Sequence, residues 1–242
     1  CVQYDVYLYA GRSYTGTVIE APDTNEWRSI SYILTWYHSP TINNDEGFAI
    51  QAAIWKYSTG NDPTGECDTT GTLANGIYNE AAGKNVVRLG DTLTLTPDVS
   101  AVPVGEPQRL TAKIVDKDGV PKPGVRIVFS TTLGFFTDTG TQETFGITNA
   151  DGEVSVEVKS TVEGNAQVTA STRGVWAYIL DLKRNGADYQ NIIGIGYPEL
   201  TERSDIIYIR FFIVPEIPLG TATVTLVSFA ASFYASKIKR HT

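Results

Sequence analysis

The feature that most constrains this chain is a change of texture at Asp91. From there on, Leu93–Leu95, Gln108–Val115, Val125–Phe129, Thr144–Thr148, Glu153–Val158 and Ala166–Ala170 are short alternating runs. Gly105, Asp118-Gly119, Pro121 to Gly124, Gly134, Asp151-Gly152 and Gly164 separate them. Alternation of period two puts one side of each run in a core and the other in water. Strands recurring every ten or so residues between turn signals predict an antiparallel sandwich. Asp118-Gly119 and Asp151-Gly152 are hairpin dipeptides. The sandwich is placed at 91–173.

The stretch before Asp91 reads differently. Residues 1–20 alternate well enough for two strands around Ala10 to Ser13, and Pro22 to Asn25 is a loop. Trp27 to Tyr37 is strongly apolar and fits a short helix or a buried strand, which periodicity does not decide. Glu46 to Tyr57 carries Phe48, Ala52 and Trp55 on one helical stripe and Ile50, Ile54 and Tyr57 on the next. A helix apolar on both stripes is expected to be buried. Asn43, Asn44 and Asp45 supply a cap, while Gly60, Pro63 and Gly65 end it. Gln51 then stands where an apolar residue belongs, and a buried amide must be hydrogen-bonded or chemically used. Residues 58–90 are polar and Gly-containing, with one helical patch at Leu73–Ala82.

Composition agrees with a mainly β protein: 13 Tyr, 22 Gly, no Met and abundant Thr and Val. At 242 residues there is core enough for two small domains and a tail. The net charge of −8 and the lack of a basic stripe with interleaved aromatics argue against nucleic acid as a partner. The histidines, His38 and His241, and the cysteines, Cys1 and Cys67, have no metal-ligand spacing, so no zinc is expected. Asp116, Asp118 and Asp151 lack the ligand count of a calcium site and read as turn residues. No cofactor is expected. A chain that begins at Cys1 reads as processed or as a fragment. Cys1 and Cys67 can form a disulfide in an oxidising compartment.

Val175–Leu182, Ile192–Ile195 and Ile206–Val214 are further strands that either extend the sandwich or complete the N-terminal domain. Ile217 to Ser236 holds no charged residue and is followed by Lys237, Lys239 and Arg240. Its length matches a bilayer core, and its hydropathy and terminal position favour a membrane anchor with the basic end cytoplasmic. The competing reading is a buried β-element, since Thr221, Thr223, Val224, Thr225 and Val227 are β-branched. The expected order is a small α+β head with one buried helix at 1–90, the sandwich at 91–173, additional strands at 174–214, and a hydrophobic anchor or assembly segment at 215–242.

Three stretches resemble known families. Cys1-Val-Gln, Ile30 to Pro40 and Ala49-Ile-Gln-Ala-Ala-Ile-Trp55 look like the thioester domains of microbial surface adhesins. Tyr-His-Ser-Pro stands here for the usual Gly-Tyr-Pro, and Ile50 for the Thr that often precedes the Gln. Val102 to Gly105, Asp116 to Gly124 and Asn149 to Gly152 resemble invasin-type bacterial Ig-like domains. Val214-Pro-Glu-Ile-Pro-Leu-Gly220 with its apolar run resembles the Val-Pro-Glu-Phe-Pro-Leu-Gly anchors of archaeal surface proteins, with Ile217 for Phe.

The first resemblance implies a bond between the Cys1 sulfur and the Gln51 side-chain carbonyl, formed with loss of ammonia. Such a thioester is a stored electrophile that a target amine or hydroxyl opens, leaving the protein covalently attached without turnover. Trp36, Tyr37 and Trp55 are candidates to line and shield the site, and His38 to assist proton transfer. The plain alternatives are a satisfied amide at Gln51 and a Cys1–Cys67 disulfide or free thiols. Lys113 lies inside an apolar strand and is expected to point to solvent on the open face.

The expected function is therefore that of an extracellular cell-surface binding protein, not an enzyme. A surface protein or glycan is its target, and a membrane its attachment through the C-terminal segment. The alternative is a structural subunit that packs with copies of itself in a filament or surface layer through its hydrophobic tail.

Overall fold

The computed structural model describes residues 15–37, 43–61, 71–184, 187–188, 192–195 and 200–214. Its sixteen named elements make a mainly β protein. Three are helices: α1 (Asn25–Trp36), α2 (Asn44–Thr59) and α3 (Gly71–Ala81). Among the described residues of the head, the buried helix expected at Glu46–Tyr57 is joined by helices at the undecided Trp27–Tyr37 run and at the helical patch Leu73–Ala82. Ser29 to Ile33 are all buried, because α1 is covered on more than one side. A run buried all round shows neither a helical nor a strand period, which is why periodicity could not assign Trp27 to Tyr37. α3 was weakly marked because only Ala74, Ile77 and Ala81, with Gly71 at its start, form its buried face.

α2 begins on Asn43. The Asn43 side chain accepts from Glu46 N at 2.9 Å and Glu46 Oε2 accepts from Asn43 N at 3.3 Å, closing a capping box. Gly60 ends it with φ 74°, a left-handed cap. Its fully buried positions are Ala49, Ala52, Ala53 and Ile54. Phe48, Ile50, Gln51, Trp55 and Tyr57 are half-buried, so the helix is less enclosed than its two apolar stripes predict. Small alanines let α1 and α3 approach closely, and the three helices share one core with Ile30, Tyr32, Ile33, Ile77 and Trp176.

Strands β1 (Thr15–Glu20), β10 (Ala177–Arg184), β11 (Ala187–Asp188) and β12 (Ile192–Ile195) form the head sheet, with β10 central and β1 antiparallel to it from Thr15↔Lys183 to Glu20↔Tyr178. The first of the two strands expected in residues 1–20, and the hydrophobic segment 215–242, lie outside the described residues. No helix among the described residues is long and apolar enough to cross a membrane.

The sandwich is built from two sheets. One runs β3 (Ala101–Pro103), β13 (Thr201–Phe212), β9 (Gly164–Gly174), β5 (Arg126–Thr131), β7 (Glu143–Ile147). The other runs β2 (Thr92–Pro97), β4 (Pro107–Val115), β8 (Glu153–Lys159), β6 (Phe135–Phe136). Leu110, Ile114, Ile127, Phe129, Phe136, Val168, Ile209 and Phe211 fill the space between, all at 1% exposure or less. Each of the six expected strands in 91–173 is present; the two- and three-residue β6 and β3 were too short to show a period. The Asp116 side chain accepts from Asp118 N and Val120 N, both at 2.9 Å, making it a turn residue. Lys113 pairs with Glu153 at 2.8 Å on the half-exposed outer side of β4.

The strands after Gly174 go both ways. β9 passes the chain to β10 through Val175 and Trp176, and β10 to β12 belong to the head sheet. β13 then returns to the sandwich, antiparallel to β9 from Thr201↔Gly174 to Phe211↔Gly164. Head and sandwich are consequently threaded through each other rather than strung in series.

Candidate functional site

The residues that join head to sandwich were not recognised in the sequence, and they fix the geometry of everything around them. The linker after α3 lies along the sandwich: Asn85 bridges Val125 in parallel, and Asn85 N donates to Gly124 O at 2.9 Å. A Cβ on Gly124 would collide with Gly83 O, and one on Gly174 with Val87 O, so both glycines are needed for this close approach. Lys122 reaches beneath the linker, donating to Val86 O at 3.0 Å and to Asp91 Oδ2 at 2.5 Å. Asp91 Oδ2 also accepts from Arg88 N at 2.6 Å, and Asp91 O accepts from Arg203 Nε at 2.7 Å. Burial pushes the Lys122 ammonium below the ordinary lysine value, with the Asp91 carboxylate opposing that shift.

On the head side, α1 uses its hydroxyls to receive the crossing strand. Thr35 Oγ1 accepts from Val175 N at 2.9 Å and Ser31 Oγ from Ala177 N at 3.0 Å, while Trp176 Nε1 donates to Ala21 O at 3.1 Å. Arg88 lies over the Trp176 ring at 4.1 Å and pairs with Glu20 and Asp23. Asp23 also binds Arg28 Nε at 2.6 Å, and that hydrogen bond holds its carboxyl below the usual range.

The expected reactive residue, Gln51, sits half-buried in the middle of α2, one turn before Trp55. The Trp55 ring meets Phe48 edge-on at 6.4 Å. On the same helix Tyr57 stacks on Tyr78 of α3 at 4.3 Å and donates to Tyr78 O at 2.7 Å, while Lys56 donates to Asn75 Oδ1 at 3.1 Å. These contacts hold α2 firmly against α3. Cys1, His38 and Cys67 lie outside the described residues, so the expected Cys1–Gln51 and Cys1–Cys67 pairings do too.

The aromatics at the end of α1 make hydrogen bonds and ring contacts of their own. Tyr32 Oη donates to Glu80 Oε1 at 3.1 Å and Tyr37 Oη to Glu80 Oε2. Burial, reinforced by that carboxylate, raises both phenols above their ordinary value. Trp36 faces the sandwich. Arg126 and Arg173 lie over its ring at 4.8 and 4.9 Å, and Arg126 also covers Phe145 at 3.9 Å. Beside Trp36 opens a groove of about 380 Å³ lined by Val128, Ser171, Arg173, Glu202 and Ser204 among others. Among the described residues no group of three His, Cys, Asp or Glu side chains is placed to hold a metal ion.

Residues 92–176 match the bacterial Ig-like domain (group 1) family. The match spans the sandwich from β2 to β9 and ends where the chain crosses to the head. No curated protein matches the chain. Among solved structures it is similar to the D0–D1 domains of intimin, at 17% identity and TM-score 0.32, covering 50% of this chain and 48% of that one. It is also similar to the Bacillus anthracis TIE protein, at 10% identity and TM-score 0.30, over 87% and 42% of the two chains. The thioester domain of the Enterococcus faecium TIE86 protein gives 11% identity and TM-score 0.27, over 83% and 76%. The chain spans about half the length of the intimin structure it matches.

Proposed function

We propose that this chain is an extracellular, cell-surface adhesion protein whose head forms an internal thioester between Cys1 and Gln51 and acylates itself onto a nucleophile of its target. The observation that carries the reading is the placement of Gln51. It lies half-buried on a doubly capped helix, within Gln51-Ala-Ala-Ile-Trp55, in a chain whose residues 92–176 match a bacterial Ig-like family. Gln51 is neither fully buried nor exposed, and Phe48 and Trp55, which meet edge-on at 6.4 Å, flank it in sequence one turn to either side.

The chemistry is single use. The Cys1 thiolate adds to the Gln51 side-chain carbonyl and ammonia leaves; a target amine later adds to the same carbon and the thiol leaves. No turnover follows, so the chain acts as an adhesin and not as an enzyme. A surface protein or glycan is the target, and the segment 215–242 attaches the chain to its own membrane. Incubating the folded protein with a labelled primary amine tests the acylation: wild type takes up one label, and Gln51→Ala folds but takes up none.

A second reading, a filament or surface-layer subunit of archaeal type, draws support from the end of β13. Ile213 and Val214 are 61% and 57% exposed there and lead directly into the apolar run. Sedimentation tests it: chains ending at Val214 stay monomeric and the full chain polymerises if this reading holds.

A further inference from the structure

We infer that the groove beside Trp36 is a non-covalent binding site for a carboxylate-bearing sugar. The inference rests on the reading of the chain as an extracellular binding protein, but not on the thioester.

The argument starts from the register of the sheet. On the outer face of the sandwich Arg173 stands opposite Glu202, and the next row of the same face holds Val128, Ser171 and Ser204. Arg126 lies two residues before Val128 on that face. Directly opposed Arg and Glu side chains on neighbouring strands ordinarily pair. Here Glu202 makes no ion pair among the described residues, and Arg173 turns instead to the Trp36 ring at 4.9 Å. Arg126 makes no ion pair among the described residues either; it lies over the rings of Trp36 and Phe145 and beside the Tyr32 phenol, outside the residues that line the groove. In a chain of net charge −8, two guanidinium groups line this groove, Arg173 beside the indole and Arg203 held by the main-chain oxygens of Asp91 and Glu202, and neither makes an ion pair among the described residues.

Each lining group suits one part of such a ligand. A guanidinium presents a planar fork of N–H donors that matches a carboxylate. Ser171 and Ser204 offer hydroxyls that donate or accept, and Val128 gives the floor an apolar step suited to a ring's C–H face. Glu202 takes hydrogen bonds from ligand hydroxyls and repels a second negative charge. That carboxylate decides the class: an acidic polypeptide or a polyphosphate would crowd several negative charges against it, whereas a uronic-acid-type sugar carries one carboxylate per ring, set apart from the next by hydroxyl donors. The volume of about 380 Å³ holds one or two sugar rings.

The test is calorimetric titration of the full chain with trigalacturonate, its methyl ester and hexaglutamate. Trigalacturonate is expected to bind in the micromolar to millimolar range, and the methyl ester at least about tenfold more weakly, which is about 1.4 kcal/mol. Arg173→Ala is expected to lose at least about tenfold in affinity for trigalacturonate while melting within a few degrees of wild type. Glu202→Ala is expected to weaken trigalacturonate and strengthen hexaglutamate, a split that mere structural damage does not produce. Gln51→Ala, which removes any acylation, is expected to bind as wild type does, so the groove and the thioester succeed or fail separately. Equal binding of acid and ester, tighter binding of hexaglutamate than of the sugar, or no binding of the sugar by wild type overturns the inference.

Discussion

Lys122 Nζ stands 2.5 Å from Asp91 Oδ2, with the two side chains only 10% and 4% exposed. The pair ties the start of β2 to the loop before β5, beneath the linker that comes from the head. A buried pair contributes little net stability over a well-packed apolar replacement, but losing one partner strands the other charge. Lys122→Ala should therefore lower unfolding free energy by about 3–5 kcal/mol, and Lys122→Met with Asp91→Leu by clearly less. Urea denaturation of the three proteins checks this. Equal losses in the single and double variants would show that packing, not charge, is at stake.

The same lysine sets a pH dependence. Its folded-state pKa is depressed by burial, so the unfolded chain binds the proton more tightly. Stability then rises with pH in the alkaline window below the ordinary lysine value of 10.5. Melting temperatures of wild type minus those of Lys122→Met should climb across that window. A flat or falling difference contradicts the assigned shift.

Ser31 and Thr35 accept the N–H groups of Ala177 and Val175 as the chain crosses from β9 to β10. Ser31→Ala and Thr35→Val each leave a backbone donor without its acceptor, at about 1–3 kcal/mol. Hydrogen exchange should localise the effect, with faster exchange at residues 175–177 in both variants.

Gly174 leaves no space for a side chain beside Val87 O. Gly174→Ala must push the linker off the sandwich, and a loss of about 1–3 kcal/mol is expected, the range of overpacked sites. Gly76, whose Cβ would meet nothing within 4 Å, is the control: Gly76→Ala in α3 should stabilise by about 0.5–1 kcal/mol. Thermal melts distinguish the two signs directly.

Asp23 carries the acid-side counterpart. Its carboxyl is held below 3.8, chiefly by the Arg28 hydrogen bond. The stability this supplies is present above 3.8 and lost as pH falls through the lower folded value. Because the pair is half-exposed, Asp23→Asn should cost only about 0.2–1 kcal/mol at neutral pH, and nothing more in strong acid. Acid-unfolding curves of the two proteins should converge at low pH.

The sandwich was legible because each long strand is half in the core, so burial and period two coincide; β8, with Val156 and Val158 buried and Ser155 and Glu157 exposed, shows it plainly. The cap of α2 was legible because its chemistry is local, confined to Asn43 and Glu46. What escaped were long-range relations. Nothing near Lys122 in sequence says that its partner is 31 residues away, and its position between Pro121 and Pro123 marks it as a surface turn residue. The groove was hidden for the same reason. The guanidinium groups over the Trp36 ring come from β5 and β9, which lie far from α1 in sequence. The Val175–Ala177 crossing left one sign only, the buried hydroxyls of Ser31 and Thr35 in an otherwise apolar helix.

The most direct test of the central claim is the intact mass of the folded, unreduced chain. A Cys1–Gln51 thioester predicts a deficit of one ammonia, about 17 Da, that disappears on treatment with methylamine and never forms in Gln51→Ala. A chain of full mass, or a deficit of two hydrogens that reduction reverses, would contradict it.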